Sequence, residues 1–122
     1  MRVACGIMYD NAGKILMGFR SEKYANPNYW EFPGGKCEKG ETLEECLHRE
    51  WKEELNLSIE ITELLHTSKV DFVECYFFIG KIKDIEKLQI NVHEYIGFYE
   101  VSELHTLRLF EGDEKIIDLL KN

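Results

Sequence analysis

Residues 42–57 read TLEECLHREWKEELNL, and the way this stretch folds decides how the rest of the chain is read. Thr42 followed by Glu45 is a capping-box signature, in which each side chain satisfies a backbone N–H at the start of a helix. The spacing predicts a helix from there to about Leu55. At roughly 100° per residue, Leu43, Leu47, Trp51 and Leu55 form one apolar stripe with Cys46 on its flank, and Glu50 and Glu54 fall between Cys46 and Leu47. Glu53 borders the same arc, whereas Glu45, His48 and Lys52 mark the solvated face. Carboxylates at i, i+3 and i+4 repel one another, more strongly as water is withdrawn. Arg49 alone does not neutralise them all. The pattern asks for a hard divalent cation such as Mg²⁺ or Mn²⁺, which takes oxygen ligands and commonly holds substrate phosphates as well. A solvated acidic face is the alternative for a Glu-rich helix, and the wheel position of Glu50 and Glu54 argues against it.

On either side the punctuation is that of a mixed α/β domain. RVACGIMYD (2–10) and KILMGFR (14–20) are apolar, strand-like runs about Asn11-Ala12-Gly13, a hairpin turn. SEKYANPNY (21–29) is polar and turn-rich, a loop that delivers Trp30-Glu31-Phe32 into Pro33-Gly34-Gly35. After the helix come three strand-like segments, SIEITELLH (58–66), VDFVECYFFIGKI (70–82) and HEYIGFYEV (93–101). An amphipathic helix closes the chain from about Gly112 to Leu120, with Ile116, Ile117, Leu119 and Leu120 apolar. The order is β-β-loop-α-β-β-β-α, without repeat, linker or low-complexity tract, and residues 1–122 are expected to form one domain.

With 122 residues and 44% hydrophobic content, the chain has enough material for one modest core. It contains no long apolar run of membrane-spanning type and no signal peptide, so a soluble cytoplasmic protein is expected. Cys5, Cys37, Cys46 and Cys75 show neither CxxC pairing nor a histidine at zinc-ligand spacing; reduced thiols, mostly in the core, are expected. A formal charge of −8 argues against duplex nucleic acid or an anionic membrane as partner, since both are held by excess Lys and Arg. An anionic small substrate needs a cation to mediate it.

From Gly35 the sequence GKCEKGETLEECLHREWKEELNL fits the signature of the Nudix hydrolases. That signature is a glycine, five residues, Glu, seven residues, Arg-Glu, an aliphatic, any residue, Glu-Glu, any residue, Gly and an aliphatic. Gly35, Glu41, Arg49, Glu50, Glu53, Glu54 and Leu57 match. Trp51 replaces the usual aliphatic, which keeps the apolar character and demands a roomier pocket. Asn56 replaces the closing glycine, and Asn is the residue after glycine that best tolerates the left-handed C-cap. Six polar or glycine matches at fixed spacing arise by chance in fewer than roughly one in a thousand such chains. WEFPGGK before the box, the hairpin start and the small size resemble the MutT-type branch, so that the likeness covers nearly the whole chain.

The resemblance implies an α/β/α sandwich with a mixed β-sheet and the box as a loop-helix-loop. It implies Glu50, Glu53 and Glu54 as ligands of Mg²⁺ (or Mn²⁺), with the Gly35 carbonyl as a further ligand and Glu41 and Arg49 bracing the box. Glu94 matches an acidic residue outside the box that serves MutT-type enzymes as metal ligand or general base. Glu50, Glu53, Glu54, Glu94 and Arg49 are thus the expected catalytic set. Arg20 and Lys36 are expected to reach phosphates, and Glu31 and Phe32 to line the pocket. Within Tyr76-Phe77-Phe78, one or two aromatics belong to the core, and Phe78 or Tyr76 is a candidate to stack on a base. Asp113 aligns with an asparagine through which MutT hydrogen-bonds oxidised guanine; the plainer role for it is a helix N-cap. His66, His93 and His105 show no ligand spacing and read as structural.

The implied reaction is attack of metal-activated water on a phosphorus of a nucleoside diphosphate linked to another group. The expected substrate is a nucleoside triphosphate, 8-oxo-dGTP or another, cleaved to the monophosphate and pyrophosphate. Cytidine nucleotides, ADP-ribose, dinucleoside polyphosphates and capped RNA are the rivals. A non-catalytic nucleotide-binding domain on the same fold is the rival of another class, and the intact box speaks against it. The absence of an N-terminal extension disfavours the swapped dimer of ADP-ribose relatives, and the acidity disfavours RNA. A monomer or weak homodimer is expected.

Overall fold

Strand β1 (Arg2–Tyr9) sets the architecture through its alternation of side chains. Ala4 and Met8 pack into one apolar cluster, while Cys5, Ile7 and Tyr9 belong to another on the opposite face. The computed structural model describes residues 1–20, 28–109 and 113–121. Its other elements are β2 (Ile15–Phe19), β3 (Trp30–Glu31), β4 (Gly34–Lys36), α1 (Leu43–Leu55), β5 (Ile59–Val70), β6 (Val73–Ile82), β7 (Tyr95–Tyr99) and α2 (Glu114–Leu120). The strands form one mixed sheet in the order β3-β2-β1-β6-β5, with β4 added to β1 and β7 to β2. The β1–β6 pair is parallel and the others are antiparallel. Leu47, Trp51 and Leu55 of α1 cover one face with Met8, Leu16 and Phe78. Ile116 and Ile117 of α2 cover the other with Ile7, Met17 and Phe77. Three layers result, as the resemblance implied. Among the described residues, no helix is long and apolar enough to cross a membrane.

Helix α1 begins and ends where its sequence says. The Thr42 and Glu45 side chains exchange hydrogen bonds with each other's backbone N–H at 3.1 and 2.9 Å. Asn56 closes the helix in the left-handed region at φ 56°, its N–H donating to the Lys52 and Trp51 carbonyls. Trp51 is fully buried, and its indole N–H donates to the Pro33 carbonyl at 2.8 Å. Room for so large a ring comes from Gly6, where a Cβ would sit 2.7 Å from the indole nitrogen.

Elsewhere the structure refines the sequence reading. Trp30-Glu31 and Gly34–Lys36, read as part of a loop and a turn, are short strands. The bare Gly34 lets β4 lie against β1 in register with Cys5. Strand β5 continues beyond His66 to Val70, carried by its pairing with β6 and broken only by irregularities near Ile61 and Leu64. Two 3₁₀ turns, Ile85–Lys87 and Val101–Thr106, are too short to leave a periodic signal in the sequence. Most of the 21–29 loop, and Gly112 as the start of the last helix, lie outside the described residues.

Candidate active site

The exposed end of α1 is organised by one guanidinium. Arg49 Nε donates to Glu41 Oε2 at 2.6 Å and Nη2 to Glu41 Oε1 at 3.0 Å. Nη1 reaches Glu50 at 2.8 Å and Glu53 at 3.2 Å, and Nη2 also donates to the Lys36 carbonyl at 3.0 Å. The fork geometry suits this bidentate work, which a lysine cannot do. Arg49 thereby holds the Glu41 carboxyl down at about 2, helped by the Glu38 N–H, and its own guanidinium is held still more firmly protonated.

Glu50 turns from Arg49 toward the β4 backbone. A Cβ at Gly35 would run into the Glu50 carboxylate, so only glycine lets this carbonyl and that side chain share the space. The Gly35 carbonyl accepts a weak hydrogen bond from Cys46 Sγ at 3.5 Å. One turn on, Glu54 faces inward and is only 8% exposed. Its Oε1 is buried without a hydrogen-bond partner. Burial, then the Glu50 carboxyl beside it and the Glu31 charge, push Glu54 up to about 9 against the pull of Arg20.

The segment before β7 is fastened to the end of α1, where helix carbonyls would otherwise lack donors. Gln89 N–H donates to Leu55 O at 2.9 Å and Asn91 N–H to Glu54 O at 3.0 Å, while Asn91 Nδ2 reaches Glu53 O at 3.0 Å. This clamp delivers His93, 5% exposed, beneath Glu54. His93 Nε2 lies 2.7 Å from Glu31 Oε2 and 4.0 Å from Glu54 Oε1, and Glu31 Oε1 pairs with Arg20 Nε at 3.0 Å. Among the described residues, Glu31, Glu54 and His93 bring ligand-type atoms within 4.8 Å of one another. A divalent cation fits at Glu54: a buried carboxylate oxygen lacking a donor, with Glu50 beside it, wants positive charge, and oxygen donors suit Mg²⁺ or Mn²⁺.

The expected residues are not all drawn together. Glu53 keeps 59% of its side chain exposed and touches the cluster through Arg49. Glu94, next to His93, is exposed, with its N–H on the Phe19 carbonyl at 3.0 Å. The Lys36 side chain is exposed as well, and its carbonyl serves Arg49. Arg20, expected on phosphates, pairs with Glu31. His93, read as structural, stands inside the cluster; a lone histidine in NVHEY carries no spacing that would have found it.

A cavity of about 740 Å³ opens on the α2 face, lined by Cys5, Glu31, Phe32, Cys75, Phe77 and Asp113 among others. Phe32 and Phe77 meet edge to face with centroids 6.3 Å apart. Phe78 corrects the expectation for the aromatic run: period-two alternation turns it, 4% exposed, to the α1 face, and Phe77 takes the place beside Asp113. Asp113 occupies the N-cap position of α2 but makes no side-chain capping hydrogen bond. Burial, reinforced by the Glu31 charge, raises its carboxyl to about 7. All four cysteines are free; burial pushes Cys46 up to about 12 and Cys5 well above its ordinary range. Among the described residues, Glu31 alone belongs to both the cavity and the cluster with Glu54 and His93.

Comparison with known proteins places this arrangement. The model of the NUDIX domain matches residues 1–120. Over 72 residues the chain is 36% identical to the 8-oxo-dGTP diphosphatase of Proteus vulgaris, a match covering 59% of this chain and 64% of that protein. Over 60 residues it is 40% identical to nucleoside triphosphatase NudI of Enterobacter sp. (strain 638), covering 49% and 43% respectively. The chain thus spans less than two thirds of the length of these curated relatives. The solution structure of the E. coli ORF135 protein superposes with a TM-score of 0.78 at 25% identity, over 98% of this chain and 87% of that one.

Proposed function

The chain belongs to the Nudix family, and from that premise we propose that it hydrolyses a nucleoside triphosphate to the monophosphate and pyrophosphate with Mg²⁺ or Mn²⁺. The observation that carries the reading is the shared position of Glu31, which lines the cavity beside Phe32 and Phe77 and also belongs to the cluster around Glu54. A base in the cavity then leads its phosphates toward the acidic end of α1. The named activities of the two curated relatives, an 8-oxo-dGTP diphosphatase and a nucleoside triphosphatase, support the same substrate class.

Glu50, Glu53, Glu54 and the Gly35 carbonyl, with Glu94 from the neighbouring segment, would hold the cation. When bound, it supplies the Lewis acidity that makes water nucleophilic near neutral pH and neutralises phosphate charge. Arg49 holds Glu50 and Glu53 by hydrogen bonds and Glu41 as its counter-ion, which limits how far the first two must turn to reach a cation. Phe32 and Phe77 offer the base apolar surface, and Asp113 reads its edge. As a carboxylate, Asp113 accepts from two neighbouring N–H groups, which suits the adjacent ring N–H and amino group of guanine and 8-oxoguanine. Uracil and thymine are the poorer fit.

The test is a panel of nucleotides incubated with Mg²⁺ and the products identified. Monophosphate plus pyrophosphate from a guanine or 8-oxoguanine triphosphate, ahead of uridine and thymidine triphosphates, is the expected result. Turnover confined to ADP-ribose or dinucleoside polyphosphates overturns the substrate class.

A further inference from the structure

His93 is the buried polar side chain that the proposed reaction leaves without a task. Its imidazole lies against Gly18, where any Cβ would collide with the ring, so β2 is hollowed to admit it. Its Nε2 is 2.7 Å from Glu31 Oε2, whose other oxygen is ion-paired with Arg20. A carboxylate paired in this way only accepts, so Nε2 carries the proton. Nδ1 is buried without a partner. Nδ1 then stands as a bare acceptor, which buried sites tolerate more often than a bare N–H. A ligating imidazole must turn its unprotonated nitrogen toward the other ligand atoms. Here the nitrogen that faces Glu31 and Glu54, at 2.7 and 4.0 Å, is Nε2, the one that carries the proton.

We propose that His93 is a positioning residue for substrate specificity: its Nε2–H holds the Glu31 carboxylate between Arg20 and the ring, with Glu31 presented as an acceptor at the cavity where the base binds. Glu31 is charged, largely buried and close enough to Asp113 to raise its carboxyl, so it needs two donors to stay fixed in that wall. Arg20 supplies one and His93 the other. Without His93, Glu31 pivots about Arg20, and the base loses a fixed acceptor, while the ligands on α1 keep their own support from Arg49 and Asn91. The role rests on the nucleotide-hydrolase reading for its effect on turnover, but not for the hydrogen bond itself.

The experiment compares His93→Gln, which keeps an N–H donor at nearly the reach of Nε2, with His93→Leu, which keeps bulk and removes the donor. For His93→Leu, loss of one hydrogen bond to a charged group is expected to raise KM for the preferred triphosphate about ten-fold or more, with kcat nearly unchanged and a flattened ranking of bases. His93→Gln is expected to restore most of the loss. Mn²⁺ affinity of each variant, measured by electron paramagnetic resonance with the metal alone, is expected to match that of the unaltered protein. Equal damage from both substitutions reduces His93 to packing, and a ten-fold loss of Mn²⁺ affinity makes it a ligand; either overturns the proposal. Imidazole ¹⁵N spectra of the unaltered protein near neutral pH read the tautomer directly, whether or not the variants fold and whether or not the protein turns over. Protonated Nε2 with bare Nδ1 upholds the hydrogen bond to Glu31, and the reverse tautomer removes it. If the unaltered protein hydrolyses no triphosphate, the functional reading fails while the tautomer and Mn²⁺ results still decide the position of His93.

Discussion

Glu41 and Glu54 are the same side chain serving the same motif on either side of Arg49, and the fold drives them in opposite directions. Glu41 receives Nε and Nη2 of Arg49 and the Glu38 N–H, and its carboxyl is held near 2. Glu54 is turned inward, shares its space with Glu50, lacks a donor on Oε1 and is raised to about 9. One carboxylate is satisfied within the protein; the other keeps a buried oxygen without a donor. The difference comes from the local supply of positive charge rather than from residue type, and in the proposed reaction it would separate the brace of the site from its working end.

The comparison is broken most severely by Glu54→Gln, which keeps shape and removes charge. Turnover at saturating Mg²⁺ should fall about a hundred-fold or more, in line with the several kcal/mol that charge stabilisation supplies at such sites. The metal-free variant should nevertheless be more stable than the parent in mild alkali. The folded carboxyl binds its proton more tightly than the unfolded one, so the parent loses stability as pH climbs from about 4.5 to about 9, and the glutamine does not. A variant retaining more than about a tenth of the parent rate would remove Glu54 from the ligand set. Glu53→Gln should cost turnover of similar order while leaving the metal-free melting temperature nearly alone, because that side chain is mostly exposed.

Glu41→Gln sharpens the other half. Its folded carboxyl sits below the unfolded value, so its contribution is complete above about 4.5 and is lost as pH falls toward 2. The variant should melt a few degrees lower than the parent at pH 7 and together with it near pH 2, as thermal scans across that range would reveal. A gap that persists at pH 2 would assign the effect to something other than the ion pair with Arg49.

The smallest effect belongs to Asp113→Asn. With no side-chain cap to lose and a buried carboxyl raised to about 7 removed, the variant should melt no lower than the parent at neutral pH and shift its ranking of nucleoside triphosphates about ten-fold, or 1 to 2 kcal/mol for one mismatched hydrogen bond. Kinetics on guanine, 8-oxoguanine, cytosine and uracil triphosphates would measure it. An unchanged ranking would transfer the choice of base to Phe32 and Phe77.

Much of this was legible in sixteen residues. Helix α1, its capping box, the left-handed Asn56 and the inward turn of Glu54 follow from local spacing, because a helix wheel and its caps are properties of neighbours in the chain. What escaped depends on partners far apart in sequence. His93 meets Glu31 across 62 positions, and no periodicity reports such a contact. Phe77 and Phe78 were interchangeable until pairing with β1 fixed which face each would take, since a shift of one residue flips every side chain of a strand. The short strands β3 and β4 exist only because β2 and β1 are there to pair with them.

The contrast between a satisfied and an unsatisfied carboxylate is tested most directly by counting protons. Metal-free protein titrated with Mn²⁺ in calorimetric buffers of different ionisation enthalpy, at pH 7 to 8, should bind the ion and release close to one proton per ion, because Glu54 must give up its proton to become a ligand. Glu54→Gln should bind more weakly and release almost none. Tight binding without proton release, or release that survives in Glu54→Gln, would contradict the assignment of Glu54 as the buried acid awaiting the cation.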